Sequence, residues 1–121
     1  MKIKAIEILN SKDVLTKLGS TKFEDGITSY KLIRNIKNIG FELDNLERAK
    51  TEVFLKYGTK EKDTTKIPND KKDQFFKELN NLLGMEVEVD ILLISPEKIS
   101  DFSPFELMPV DWMFEIEKKE V

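Results

Sequence analysis

From Leu32 onward, large apolar residues recur at Leu32, Ile36, Ile39, Leu43 and Leu46, then, past Lys50, at Val53 and Tyr57. The steps alternate between four and three, the spacing that gathers side chains onto one stripe of an α-helix. No other pattern in the chain constrains its fold as much. A helix over residues 29–57 would run roughly 40 Å. Ser29 is a suitable N-cap and Gly58 a suitable stop. Asp44 to Arg48 and Glu52 to Lys56 are i, i+4 pairs with the acid first, the favourable order. Gly40 costs such a helix about 1 kcal/mol relative to Ala. Ile33, Phe41, Phe54 and Leu55 widen the stripe, so it asks for neighbours on more than one side. That favours packing within the chain, with a homodimer through the long helix as the alternative.

The rest of the chain must supply the cover for that stripe. Residues 58–70 form a polar stretch without periodicity and are expected to be a loop. Asp70 then precedes an apolar helical pattern over residues 71–83 (Phe75, Phe76, Leu79, Leu82 and Leu83), closed by Gly84. The two helices are expected to form an antiparallel hairpin, the second covering only the C-terminal half of the first. Residues 85–94, "MEVEVDILLI", alternate as a strand. Met85, Val87, Val89 and Ile91 point one way, and Glu86, Glu88 and Asp90 the other. Three acids in a row need cations opposite. Lys2 and Lys4, at the same spacing in "KIKAIEIL" (residues 2–9), supply them if that stretch is a strand rather than the start of a helix. Ser11 is placed to cap a short helix holding Val14, Leu15 and Leu18, ended by Gly19. Near the end, Ser103, Pro104 and Glu106 form a capping box with proline at the first helical position. Pro109 should break or kink that helical segment, which spans residues 103–117. Its stripe would be Phe105, Met108, Trp112 and Ile116, facing inward to complete the cover, with Met113 and Phe114 partly exposed as partner contacts. The expected fold is a single-domain α+β protein dominated by helices. It combines a long helix, a shorter antiparallel partner, a small two-stranded sheet and short capped terminal helices.

The residue inventory excludes much chemistry. The 121 residues include no His and no Cys, which removes the commonest general base, the thiolate nucleophile and the usual zinc ligands. The five glycines are scattered, and none lies in a phosphate-loop spacing. No catalytic residue, metal site or cofactor is expected, and the chain is read as a non-enzyme. Glu86, Glu88 and Asp90 could meet a hard cation, but alternate residues of a strand stand about 6–7 Å apart, too far to converge on one ion. They are kept as partner-binding candidates. Lys31, Arg34 and Lys37 make a small basic patch that a nucleic-acid binder would use on phosphates. The net charge of −3 disfavours that reading. Charge is unevenly distributed. Residues 2–37 carry eight Lys/Arg against four Asp/Glu, and residues 78–121 carry eleven acids against three lysines. The two ends should therefore attract each other in the folded chain. No apolar run is long enough for a membrane span, no signal peptide is read at the start, and the lack of Cys fits a cytoplasmic location.

Four stretches carry a resemblance: "SYKLIRNIKN", "KYG" at the end of the long helix, "FFKELNNLLGMEVEVDI" and "SPFELMPVDWMFEI". In this order and spacing the chain resembles a group of small uncharacterised proteins encoded by bacteriophages and prophages of low-GC Gram-positive bacteria. The resemblance covers most of residues 28–116. It implies a phage origin and a host-cell cytoplasmic life; the function expected of the chain is binding to a host or phage protein. Inhibition of a host defence or other host factor, and a role in virion assembly or as a chaperone, are the forms such an interaction would take. The resemblance implies no mechanism and no site residues.

Overall fold

A computed structural model describes residues 1–61, 64–99 and 101–115, with backbone alone at positions 60, 61 and 64. In chain order it contains β1 (Lys2–Lys4), α1 (Ala5–Asn10), α2 (Lys12–Gly19), α3 (Gly26–Tyr57), β2 (Thr59–Glu61), β3 (Thr64–Lys66), α4 (Lys72–Leu83), β4 (Glu86–Glu88) and α5 (Pro104–Leu107). Short 3-10 stretches lie at Asn69–Lys71, Pro96–Ile99 and Met108–Met113. The architecture is helix-dominated α+β, with the long helix and the small antiparallel sheet that the sequence predicts.

The apolar stripe forms α3, which starts a turn earlier than expected. Its cap is Asp25, not Ser29: the carboxylate accepts from Ile27 N at 3.1 Å and from Thr28 Oγ1 at 2.8 Å. The first turn's otherwise unpaired amides explain the gain. Leu32, Ile39, Leu43, Leu46 and Val53 are buried, and Ile36 and Tyr57 half-buried. Ile33, Phe41 and Leu55 do not widen the buried stripe as expected but stand exposed on the helix's outer surface. Glu52 is not the partner of Lys56, which instead reaches across to Glu78 of α4 at 3.2 Å. Helix α4 packs antiparallel on the second half of α3, with the Phe75 ring edge-on to Phe54 at 4.9 Å. Asp70 does not cap it. A 3-10 turn intervenes, and α4 begins after Lys71 without a side-chain cap. Part of the expected 58–70 loop is a hairpin, β2 pairing with β3 (Thr59 with Lys66), while residues 62 and 63 lie outside the described residues.

The acid row and the N-terminal lysines do pair. β1 and β4 are antiparallel, with Lys2 opposite Glu88, Ile3 opposite Val87 and Lys4 opposite Glu86. Ile3 and Val87 face the core, and the charged residues face solvent. Only residues 2–4 of the expected 2–9 strand are extended. Ala5 and Ile8, three apart and fully buried, suit a helix, and the Glu7 carboxylate reaches back to Lys4 N at 3.4 Å. Ser11 does not cap α2. It is buried, and its hydroxyl donates to Ile8 O at 2.6 Å, closing the joint between α1 and α2.

The strand expected over residues 85–94 ends at Glu88, and Met85 is exposed. Beyond Glu88 the chain continues as an extended segment that lies along α3 and is held by side chains. Asn38 Nδ2 donates to Asp90 O at 3.0 Å. The Asn35 amide both donates to Leu92 O and accepts from Leu92 N, each at 2.8 Å. Lys31 Nζ donates to Leu93 O at 3.1 Å. Seven residues of helix rise about 10 Å, and three residues of extended chain rise about as far. The two backbones therefore stay in step, running in opposite directions. Together with α1 and α2 this segment covers the first half of the stripe.

The C-terminal segment keeps its predicted capping box: Glu106 N donates to Ser103 Oγ and Ser103 N to Glu106 Oε1, both at 3.1 Å. It kinks at Val110, where φ is −127° and ψ is 26°. Its inward face is not the expected one. Phe105 is 83% and Met108 63% exposed, and Trp112 is half-buried, while Met113 is 0% and Phe114 9% exposed. At Val110 the backbone leaves helical geometry and re-aims the residues after it, and both Val110 and Met113 are buried. Ile94 N donates to Met113 O at 3.0 Å and Glu115 N to Ile94 O at 2.9 Å, a short parallel bridge that fixes the segment's end. Positions 116 and 117 of the expected segment lie outside the described residues.

These contacts set two expectations for stability. Asn35→Ala should cost about 2–3 kcal/mol in urea denaturation, because it leaves both polar groups of the Leu92 peptide without their partner. Asn38→Ala, at a more exposed single bond, should cost under about 1 kcal/mol; equal losses would contradict the special role of Asn35. Gly58→Ala should also destabilise, by roughly 1–3 kcal/mol. A Cβ at Gly58 would collide with Thr65 Cγ2 and come within 2.5 Å of Phe54 O. An unchanged melting temperature would mean that the β2–β3 hairpin does not lie against the end of α3.

Candidate functional site

The candidate residues from the sequence fall in three places. Met113 and Phe114 are core residues, so they cannot be the exposed partner contacts expected of them. Glu86, Glu88 and Asp90 are exposed, as the alternation implies. Glu88 accepts from the amino-terminal ammonium at 2.8 Å. That hydrogen bond, and the charge behind it, hold the Glu88 carboxyl below its ordinary range. Among the described residues, no group of His, Cys, Asp and Glu is arranged to hold a metal ion.

The basic patch is taken apart by the fold. Lys31 serves the Leu93 carbonyl, and Arg34 Nη1 donates to Tyr30 Oη at 3.2 Å. Lys37 lines a shallow cavity of about 330 Å³ together with Phe41, Glu88 and Asp90. The structure thus brings one member of the basic set beside two members of the acidic set, and their fields oppose one another. The asparagines beside the patch, Asn35 and Asn38, dock the backbone instead of lying on a binding surface. The apolar stripe that a homodimer would use is covered within the chain by α1, α2 and α4.

A cavity of about 570 Å³ opens between α1, α3 and the β2–β3 hairpin. Its titratable residues are Glu47 and Lys50, and Glu47 is paired with Lys12 at 3.0 Å. The Thr51 hydroxyl in its lining donates to the Glu47 carbonyl at 2.9 Å.

A smaller groove of about 310 Å³ lies along the C-terminal segment. Pro96 and Ile99 come from one 3-10 turn and Phe102 from the link after it; Pro104, Leu107 and Met108 come from α5 and its continuation, and Phe114 from the bridge to Ile94. Asp111 is the one charged residue among the described residues of the lining. Ile99, Phe102 and Phe114 are buried, whereas Met108 projects into solvent. Phe105 shares a turn with Pro104 and Met108 and is the most exposed large apolar side chain among the described residues. The sequence signal for this site was the concentration of aromatic, Met and Pro residues after position 101. What it lacked was the angle of the kink, which decides which of them face out.

The groove is anchored to the body of the protein by one charged contact. Lys17 of α2 forms an ion pair with Glu106 of α5, and its ammonium also lies 5.1 Å from the centre of the Phe102 ring. The hydrogen bond from Lys17, then that from Ser103 N, hold the Glu106 carboxyl below its ordinary 4.5.

Neither a scan against protein-family models nor searches of curated proteins and of solved structures find a match to this chain. No helix among the described residues is long and apolar enough to cross a membrane.

A group whose folded pKa is depressed adds stability above its unfolded pKa, and that stability is lost as pH falls through the folded value. Glu106→Gln should therefore lower the melting temperature at neutral pH. The gap from the unaltered protein should close as the solution is acidified below the carboxylate range. A gap that stays constant into acid would mean that the Lys17 contact contributes nothing to holding α5.

Proposed function

We propose that this is a small phage-encoded, non-enzymatic protein that acts in the host-cell cytoplasm by binding another protein through the groove beside α5. The observation that carries the reading is the exposure of Phe105 and Met108 beside an apolar groove. Large exposed aromatic and Met side chains that rim a concavity are the composition of contact surfaces. The lack of His and Cys, the commonest general base and the thiolate nucleophile, supports a binding role over a chemical one. The phage origin rests on the resemblance of the four ordered stretches. Inhibition of a host defence or other host factor is the first form of this activity, and virion assembly the second. Nucleic-acid binding is the weaker reading, because Lys31 is engaged with Leu93 and Lys37 stands beside Glu88 and Asp90.

The test compares tagged protein with its Phe105→Asp/Met108→Asp variant in a low-GC Gram-positive host, quantifying co-purified proteins by mass spectrometry. A stoichiometric partner should be present with the unaltered chain and missing with the variant. Both substitutions are on exposed side chains and should leave stability within about 0.5 kcal/mol. Met113→Ala, at a fully buried side chain, should instead cost about 2–5 kcal/mol. Equal recovery of the partner with the double variant would remove the groove from the reading. Binding to duplex DNA that weakens steeply with salt would favour the nucleic-acid alternative.

A further inference from the structure

Resting on the proposed role of the groove, we infer that it takes a short, positively charged amphipathic segment of a partner protein. One or two large apolar side chains of that segment enter the groove, and Lys or Arg residues beside them meet its acidic rim.

The apolar half of this specification comes from the lining. Ile99, Phe102 and Phe114 form an apolar floor and Met108 an adaptable wall, in a volume of about 310 Å³ that suits a side chain or two. The charged half comes from the surroundings. Residues 96–115 contain five acids and one lysine. Glu106 is already paired with Lys17, and the Glu97 carboxylate accepts from Ser95 Oγ at 3.2 Å. Asp101, Asp111 and Glu115 are exposed and form no ion pair among the described residues. Lys98, the one cation in this stretch, acts on Asp25 at the start of α3. Among the described residues no cation lines the groove, and Asp111 does. Asp111 in the lining, with Asp101 and Glu115 next in sequence to the lining residues Phe102 and Phe114, attracts a basic occupant and repels an acidic one. The same field acts against a second copy of this chain, whose own α5 surface is acidic, and against anionic lipid or nucleic acid.

The test is an affinity selection of short random peptides, displayed on their encoding RNA, against the full chain. Affinities of the enriched peptides are then measured by fluorescence polarisation. The inference expects peptides with one or two Phe, Leu, Trp or Met residues next to Lys or Arg. Their affinity should fall at least about tenfold with Met108→Asp and by a similar factor with Asp101→Lys/Asp111→Lys, and it should weaken from low to physiological salt. Circular dichroism melting confirms that both variants remain folded. Enriched peptides that lose affinity with Met108→Asp but are neutral or acidic, and insensitive to the lysine substitutions, would overturn the charge assignment and leave the groove standing. A selection that yields no peptide sensitive to Met108→Asp would overturn the groove and the inference together.

Discussion

The Asn35 side chain does what a neighbouring strand would do. Its amide oxygen and nitrogen both bond to the peptide of Leu92, so a helix side chain completes the hydrogen bonding of an extended segment that has no sheet partner. A buried backbone without partners is costly, and a segment crossing a helix has none of its own to offer. Asn suits the position because it is the short side chain that carries one donor and one acceptor in a plane. Asn35 itself is fully buried, so each of its polar atoms must also be satisfied. Placed one helical turn to either side, Asn38 and Lys31 extend the same contact to Asp90 and Leu93. Downstream geometry depends on it. The docked segment delivers Ile94 to the bridge with Met113 and Phe114, and that bridge positions the segment whose outer side is the groove.

Long-range charge pairs add to this frame. The amino-terminal ammonium meets Glu88, and Lys17 meets Glu106, so both contacts join the basic front of the chain to its acidic back. Exposed pairs of this kind each contribute little, typically under about 1 kcal/mol. Their value lies in orientation. The first sits at the edge of the two-stranded sheet, where Val89 N donates to Met1 O at 2.9 Å. The second ties α5, a helix of only four residues, to α2. A helix so short has no stability of its own, and its capping box and this contact hold it in place.

Features with a one-dimensional signature were legible in the sequence. The four-three spacing predicts α3, the alternation of Glu86, Val87 and Glu88 against Lys2, Ile3 and Lys4 predicts that the two strands pair, and Ser103 with Glu106 predicts the last cap. Features that depend on partners far along the chain were not legible. Asn35 and Asn38 read as companions of a basic patch, because nothing local says that a segment more than fifty residues away will lie against them. Asp25 and Ser29 are both residue types that cap, and only the turn of helix between them separates the choices. The β2–β3 hairpin is built from polar residues whose pairing leaves no periodicity in hydrophobicity.

The inversion of the C-terminal face connects these two classes. Proline at position 109 marks a break, but a break does not state the angle beyond it. Had the helix continued with its ordinary period, Phe105, Met108 and Trp112 would share one side, and burying them would leave Met113 outside. The 3-10 stretch and the turn at Val110 instead rotate the later residues, so Val110 and Met113 fill the core while Phe105 and Met108 are left in water. The buried and exposed faces therefore draw on the same short stretch, and the backbone at Val110 decides between them. A chain that needed only a closed core could have placed polar residues at 105 and 108 without disturbing a buried contact. That large apolar side chains stand there, beside an apolar groove in an acidic surround, is the physical ground for assigning this side of the segment to recognition.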